Sequence, residues 1–172
     1  MQLTQTKLDA FDRDGYLFFP QLYSADEIKV LTDEVARLYA MRRPENVREK
    51  GSEAVRTNFA AHLYSMPFAR LARHPRMIEP VQQLFGEKLY MHQFKINGKA
   101  AFDGDVRQLH QDFGTWVNDD LMPEPRALNV AIFLGELGEF NGPLMFIPGS
   151  HKLGVISAGH DVNTPEPLAQ AA

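Results

Sequence analysis

His110 and Asp112, one residue apart in the run LHQDFGTW, have the side-chain types and the spacing to hold a metal ion. On an extended strand alternate side chains share a face, so Val106, Gln108, His110 and Asp112 point one way and Gln111 the other. An imidazole and a carboxylate from one strand, joined by a second histidine from elsewhere, make the facial triad that leaves positions open on iron(II). Open positions are what oxygen chemistry requires. Taken alone the pair has a second reading, a hydrogen-bonded couple without metal, because His-x-Asp arises by chance in many chains.

The run before it supplies a polar face. Gln93, Lys95 and Asn97 alternate with Phe94 and Ile96, so the two sets lie on opposite sides of a strand. The polar side either meets water or lines a ligand cavity, where Lys95 would hold a carboxylate. Lys99 and Arg126 are further cationic candidates, each also readable as a surface residue.

These side chains have to be carried by a frame, and the sequence indicates one. Leu3, Lys7, Leu8 and Phe11 recur at near-helical spacing and stop at Gly15, after which YLFFP reads as a short strand closed by Pro20. Ser24 and Glu27 form a capping box, and Ile28, Leu31, Val35 and Leu38 follow as an apolar stripe, predicting a helix over about 25–40. Residues 42–60 lack periodicity and read as a loop. PRMIEPVQQLFG at 75–86 predicts a helix with Pro75 near its start and Gly86 past its end, with Pro80 counting against it. From Lys88 the period shifts towards two, in LYMHQFKIN, VRQLHQD, ALNVAIFLGEL and GPLMFIP. The expected fold is mainly β behind N-terminal helices: one domain with a helical part at 1–87, a sandwich or jelly-roll part at 88–160 and a flexible tail at 161–172.

Composition narrows the class. The chain is 44% hydrophobic and 23% charged, the range of a folded globular domain, and no stretch is apolar enough to span a bilayer. A net charge of −4, with the basic run MRRPENVREK interrupted by Glu45 and Glu49, disfavours nucleic acid as a partner. With no cysteine there is neither disulfide framework nor thiolate site. The N-terminus lacks the basic-then-apolar pattern of a secretory signal, which leaves cytoplasm as the default location.

HQFKINGKAAFDGDVRQLHQDFGTWVNDDLMPEPRALNVAIFL followed by FNGPLMFIPGSHK resembles the phytanoyl-CoA dioxygenase family of iron(II) and 2-oxoglutarate oxygenases. Within it the chain is most similar to bacterial hydroxylases of amino acids and amino-acid-like solutes, the ectoine and proline hydroxylase-like members. DGYLFFPQLYSADEI at 14–28 resembles the family's N-terminal opening. The resemblance implies a cupin-like double-stranded β-helix in which His110 and Asp112 bind iron. It implies that Lys95, Asn97 and Asn129 contact 2-oxoglutarate and that Gln93, Trp116 and Ala127 face the substrate, a small amino acid or derivative. The activity implied is hydroxylation of an aliphatic carbon with O2. The carboxylate of Asp112 favours hydroxylation over halogenation, since related halogenases lack it.

Asn141, Gly142, Pro143 and the PGSH run at 148–151 match family turns, and His151 is not a metal ligand in that pattern. Relatives often carry aromatics just before the His-x-Asp motif, where this chain has Arg107 and Leu109. Strand alternation turns Arg107 away from the metal, whereas a bulge would let it grip a substrate carboxylate with both nitrogens. The family's second histidine, and the arginine after it that clamps 2-oxoglutarate, have no counterpart at the family's spacing before Ala172. The β-helix is therefore expected to be incomplete at its C-terminal end, with open edges that favour a homo-oligomer. The other class of protein that fits is a truncated or degenerate member serving as a non-catalytic binding or assembly module.

Overall fold

The computed structural model describes residues 1–99, 109–138 and 143–156, together with two paired strands at 158–160 and 167–169. Val106, Arg107, Gln108, Asn141 and Gly142 lie outside the described residues. In chain order the helices are α1 (Gln5–Asp14), α2 (Ala25–Tyr39), α3 (Met66–Leu71), α4 (Pro75–Phe85) and α5 (Asp112–Asp119), and the strands are β1 (Asn46–Arg48), β2 (Val55–Phe59), β3 (Lys95–Asn97), β4 (Ala158–His160) and β5 (Pro167–Ala169). Among the described residues no helix is long and apolar enough to cross a membrane. The chain divides into two compact units.

One unit comprises Met1–Leu3, Phe18–Asp105 and Val130–Pro143. Helix α2 starts at the expected capping box: the Glu27 backbone N–H donates to the Ser24 hydroxyl at 3.3 Å, and the Ser24 N–H donates to the Glu27 carboxylate at 2.8 Å. Two residues of its predicted stripe, Leu31 and Leu38, are buried with Ala61, Phe68, Leu71 and Ile96 to form the core. The start of α4 is tied to the start of α2 through Arg76. Its guanidinium pairs with Glu27, donates to the Leu22 carbonyl at 2.6 Å and stacks 4.2 Å from the centre of the Tyr23 ring. Helix α4 runs through Pro80, whose ring is buried, and ends on Gly86 at φ 68°. The proline removes only the helical bond to the Arg76 carbonyl.

The stretch 42–60, expected to be a loop, contains a hairpin. Strands β1 and β2 pair antiparallel with a register shift between Val47 and Arg48, and β2 pairs antiparallel with β3, matching Thr57 to Asn97 and Phe59 to Lys95. No apolar alternation marked it because Val55 is its one buried apolar residue among the described ones, beside Asn46, Thr57 and Asn58, of which the asparagines are 8% and 0% exposed. The Asn46 amide donates to the Leu38 and Met41 carbonyls at 2.8 Å each, capping the end of α2, and its oxygen accepts from Asn58 at 2.6 Å. Asn58 also donates to the Tyr64 hydroxyl at 2.8 Å, and that hydroxyl donates to the Phe59 carbonyl at 2.9 Å. Gly98 follows β3 and donates to the Arg56 carbonyl at 3.0 Å. A Cβ there would stand 2.5 Å from the Val55 carbonyl oxygen and 3.1 Å from the Tyr39 ring, so only glycine lets β3 lie this close.

The other unit comprises Thr4–Leu17, Val106–Asn129 and Leu144–Ala172. Helix α1 is capped by Thr4 and ends on Gly15 at φ 83°, whose N–H returns to the Phe11 carbonyl. The PGSHK run docks on that end. Gly149 N–H donates to the Asp14 carbonyl at 2.9 Å, His151 Nε2 lies 3.1 Å from the Asp12 carbonyl oxygen, and Lys152 pairs with Asp12 at 3.0 Å. Tyr16 stacks on Phe146 with ring centres 5.2 Å apart. Within the stretch expected to be a tail, β5 pairs antiparallel with β4.

Several expected strands are not paired among the described residues. Residues 16–20, 89–94, 109–111, 127–137 and 143–149 form no strand, and Asp112, expected to end one, opens helix α5. A strand requires a partner's hydrogen bonds as well as alternation, and a period of two states which side chains share a face, not which backbone lies alongside.

Candidate metal centre

The two members of the His-x-Asp pair converge in the structure. His110 Nε2 stands 3.2 Å from Asp112 Oδ1, with the side chains 36% and 40% exposed. Gln111 between them keeps an extended backbone, φ −103° and ψ 122°, so the alternation read from the sequence holds up to the residue where the helix starts. Asp112 occupies the first position of α5, where the unpaired N–H groups and the helix dipole favour a carboxylate. Its second oxygen, Oδ2, accepts a hydrogen bond from the Asn129 side-chain amide. One oxygen is thus turned to the imidazole and the other is held by an amide.

This donor set fits a divalent ion. Two ligand atoms in adjacent positions around an ion, each bonded at about 2.1 Å, lie roughly 3.0 Å apart. The separation between His110 and Asp112 is close to that value. An imidazole nitrogen with a carboxylate oxygen suits iron(II) as it suits other first-row metals. Among the described residues, no third histidine, cysteine or acidic residue joins them in one group. His151 is engaged at the end of α1, its Nε2 3.1 Å from the Asp12 carbonyl oxygen.

The same unit carries Trp116 and Ala127, both half-buried. Trp116 lies four residues after Asp112 on α5 and therefore on the same helix face. Arg107 lies outside the described residues. The other unit carries Gln93, Lys95 and Asn97, all exposed, with Phe94 and Ile96 turned to the core. Lys95 Nζ stands 5.6 Å from the centre of the Phe59 ring, and the Asn97 side-chain oxygen Oδ1 accepts from the Thr57 hydroxyl at 3.1 Å. Gln93 precedes β3 rather than forming part of it. Of the predicted set, the structure brings together His110, Asp112 and Asn129.

Sequence reasoning passed over Gln111, assigning it only a direction away from the metal. Its side chain is committed: Nε2 donates to the Gly154 carbonyl at 3.0 Å and Oε1 accepts from the Ile156 N–H at 2.8 Å. Nothing local in the sequence announces a partner 43 residues away.

Comparison with known proteins shows the family. The family model described as phytanoyl-CoA dioxygenase (PhyH) matches residues 11–170. The ectoine dioxygenase of Bordetella bronchiseptica is 39% identical over 154 residues, covering 87% of this chain and 50% of that protein. The L-proline trans-4-hydroxylase of Streptomyces griseoviridis is 38% identical over 159 residues, covering 91% and 59%. The crystal structure of EctD from S. alaskensis in its apoform superposes with a TM-score of 0.82 at 37% identity, over 89% of this chain and 58% of that one. The same protein with 2-oxoglutarate and 5-hydroxyectoine matches at a TM-score of 0.68 and 34% identity, over 72% and 45%. The chain spans about half the length of the curated relatives it matches.

Proposed function

The chain belongs to the phytanoyl-CoA dioxygenase family, and from that premise we propose that it carries the iron-binding face of an Fe(II)- and 2-oxoglutarate-dependent dioxygenase. The reaction is hydroxylation of an aliphatic carbon of a small amino acid or amino-acid-like solute. The observation that carries this reading is the convergence of His110 Nε2 and Asp112 Oδ1 at 3.2 Å, at the first turn of a helix. Similarity to a protein solved with 2-oxoglutarate and 5-hydroxyectoine supports the cosubstrate and the substrate class. The fold proposed is the family's double-stranded β-helix, with the whole chain acting as part of one oxygenase domain.

The residues divide the work as follows. His110 and Asp112 would hold the iron, which when bound with 2-oxoglutarate and O2 would supply the oxidising power for the hydroxylation. Asn129 donates to Asp112 Oδ2, so Oδ1, the oxygen turned to the imidazole, is the one Asp112 would present to an ion held there. Lys95, Asn97 and Asn129 are the 2-oxoglutarate contacts, with the Lys95 ammonium matched to a carboxylate. Gln93, Trp116 and Ala127 face the substrate. Arg107 is assigned to a substrate carboxylate.

Anaerobic titration of the 172-residue protein with iron(II) and 2-oxoglutarate tests the proposal through the visible charge-transfer band of the chelated ion. A saturable band that disappears in His110→Ala is the expected result. No band, or a band that survives His110→Ala, overturns it.

A further inference from the structure

Gln111 is the spacer between the two proposed ligands, and its own side chain has a defined task. It stands at the N-cap of α5, a position whose side chain commonly binds the first free N–H groups of the helix. It makes no such bond. Its amide reaches instead to the 154–156 backbone, donating to one carbonyl at 3.0 Å and accepting from one N–H at 2.8 Å. Those two backbone groups flank a single residue, so the amide closes the paired donor and acceptor pattern that a neighbouring strand would otherwise supply.

The segment it grips is anchored. Residues 149–152 are bound to the C-terminal end of α1 through Gly149 to Asp14 and through His151 and Lys152 to Asp12. A connected line of hydrogen bonds and backbone therefore runs from α1 through 149–156 to Gln111. His110 and Asp112 leave the backbone on either side of Gln111, so a rotation of the chain at 111 would swing them apart.

We propose that Gln111 is a positioning residue for the metal pair: its two-bond clamp on the 154–156 backbone fixes the chain at 111 and thereby sets the separation at which His110 and Asp112 meet an ion. The inference rests on the reading of His110 and Asp112 as metal ligands. The clamp touches neither ligand, and it acts on the chain that carries both. Outer partners of metal ligands typically account for 10- to 100-fold in affinity, and a clamp acting through the backbone belongs at about tenfold.

The test uses cobalt(II), whose visible absorption reports coordination geometry, in the unsubstituted 172-residue protein and in two variants. Gln111→Met keeps the length and loses both bonds, while Gln111→Glu keeps only the acceptor for Ile156. Hydrogen exchange of the Ile156 amide reports the clamp itself without metal, and urea unfolding of the metal-free proteins controls for stability. The expected results for Gln111→Met are a cobalt dissociation constant about tenfold higher, an altered visible spectrum and faster Ile156 exchange. Gln111→Glu should retain Ile156 protection and fall between the two in affinity. Unchanged Ile156 exchange in Gln111→Met overturns the clamp. Faster exchange with unchanged cobalt affinity and spectrum overturns its positioning role. Failure of the unsubstituted protein to bind cobalt removes the metal-site reading and this role with it, and is distinguished from the other outcomes by occurring before any substitution.

Discussion

Replacing Asn46 by alanine tests whether a buried polar network, rather than apolar contact, holds the β1–β2 hairpin to the end of α2. The side chain is 8% exposed and makes three hydrogen bonds, two to the Leu38 and Met41 carbonyls at 2.8 Å and one from Asn58 at 2.6 Å. At about 1 kcal/mol net per bond the three total roughly 3 kcal/mol. All three partners keep other contacts: the Leu38 carbonyl also accepts from Met41 N–H, the Met41 carbonyl from Arg48 at 3.4 Å, and Asn58 still donates to Tyr64. That lowers the expected loss to about 2 kcal/mol, a sizeable share of the stability of a typical domain. Urea unfolding followed by circular dichroism reads it directly. With a slope of about 2 kcal/mol per molar, the midpoint should fall by about 1 M. Asn46→Asp sharpens the test, because it turns a carboxylate towards two carbonyl oxygens and should cost at least as much as alanine. A midpoint shift below about 0.3 M for alanine, or a well-tolerated aspartate, would refute the network as the source of the hairpin's attachment.

Two further outcomes are expected. The Arg76 guanidinium, followed by the Ser24 N–H, lowers the pKa of the Glu27 carboxyl to about 2. A depressed carboxyl stabilises the fold above its unfolded pKa and loses that contribution as pH falls towards the folded value. The thermal midpoint should therefore drop between about pH 4.5 and about pH 2, and Glu27→Gln should reduce the drop; an unchanged acid profile in that variant rules the pair out as a contributor. Gly15→Ala should destabilise by about 1–2 kcal/mol from its left-handed φ of 83°, and by more because the added methyl meets the His151 ring. Combining it with His151→Ala should recover part of the loss, and a double variant no better than Gly15→Ala alone would show that the ring is not what the methyl meets.

What was legible in the sequence was what depends on neighbours along the chain. The capping box of Ser24 and Glu27 and the burial of Leu31 and Leu38 need only helical periodicity, and both are present. Alternation likewise put Phe94 and Ile96 on the face opposite Lys95 and Asn97, and in the structure Ile96 is buried while Lys95 and Asn97 are exposed, although β3 spans only three residues. The hairpin was not legible because three of its four buried positions are polar, Asn46, Thr57 and Asn58, and sequence patterns read asparagine as a turn or loop former. Nor did alternation reveal pairing. The run LMFI at 144–147 has every side chain more than half exposed, though its composition is that of a buried strand.

His110 and Asp112 converge although the strand expected to carry them ends early, and the reason is geometric. The reading required only that His110 and Asp112 lie two residues apart on extended chain, with Gln111 turned away. The extended conformation persists at Gln111 and gives way to helix at the next residue, so the directions hold while the strand does not. The helix adds something a strand would have lacked, a positive dipole end beside the Asp112 carboxylate. The partners of the pair lie further off. Asn129 is 17 residues from Asp112, and Gln111 binds residues 43 and 45 positions away. The two side chains proposed to meet the ion were thus legible from local spacing, whereas the groups that hold them in place are brought near only by the folded chain.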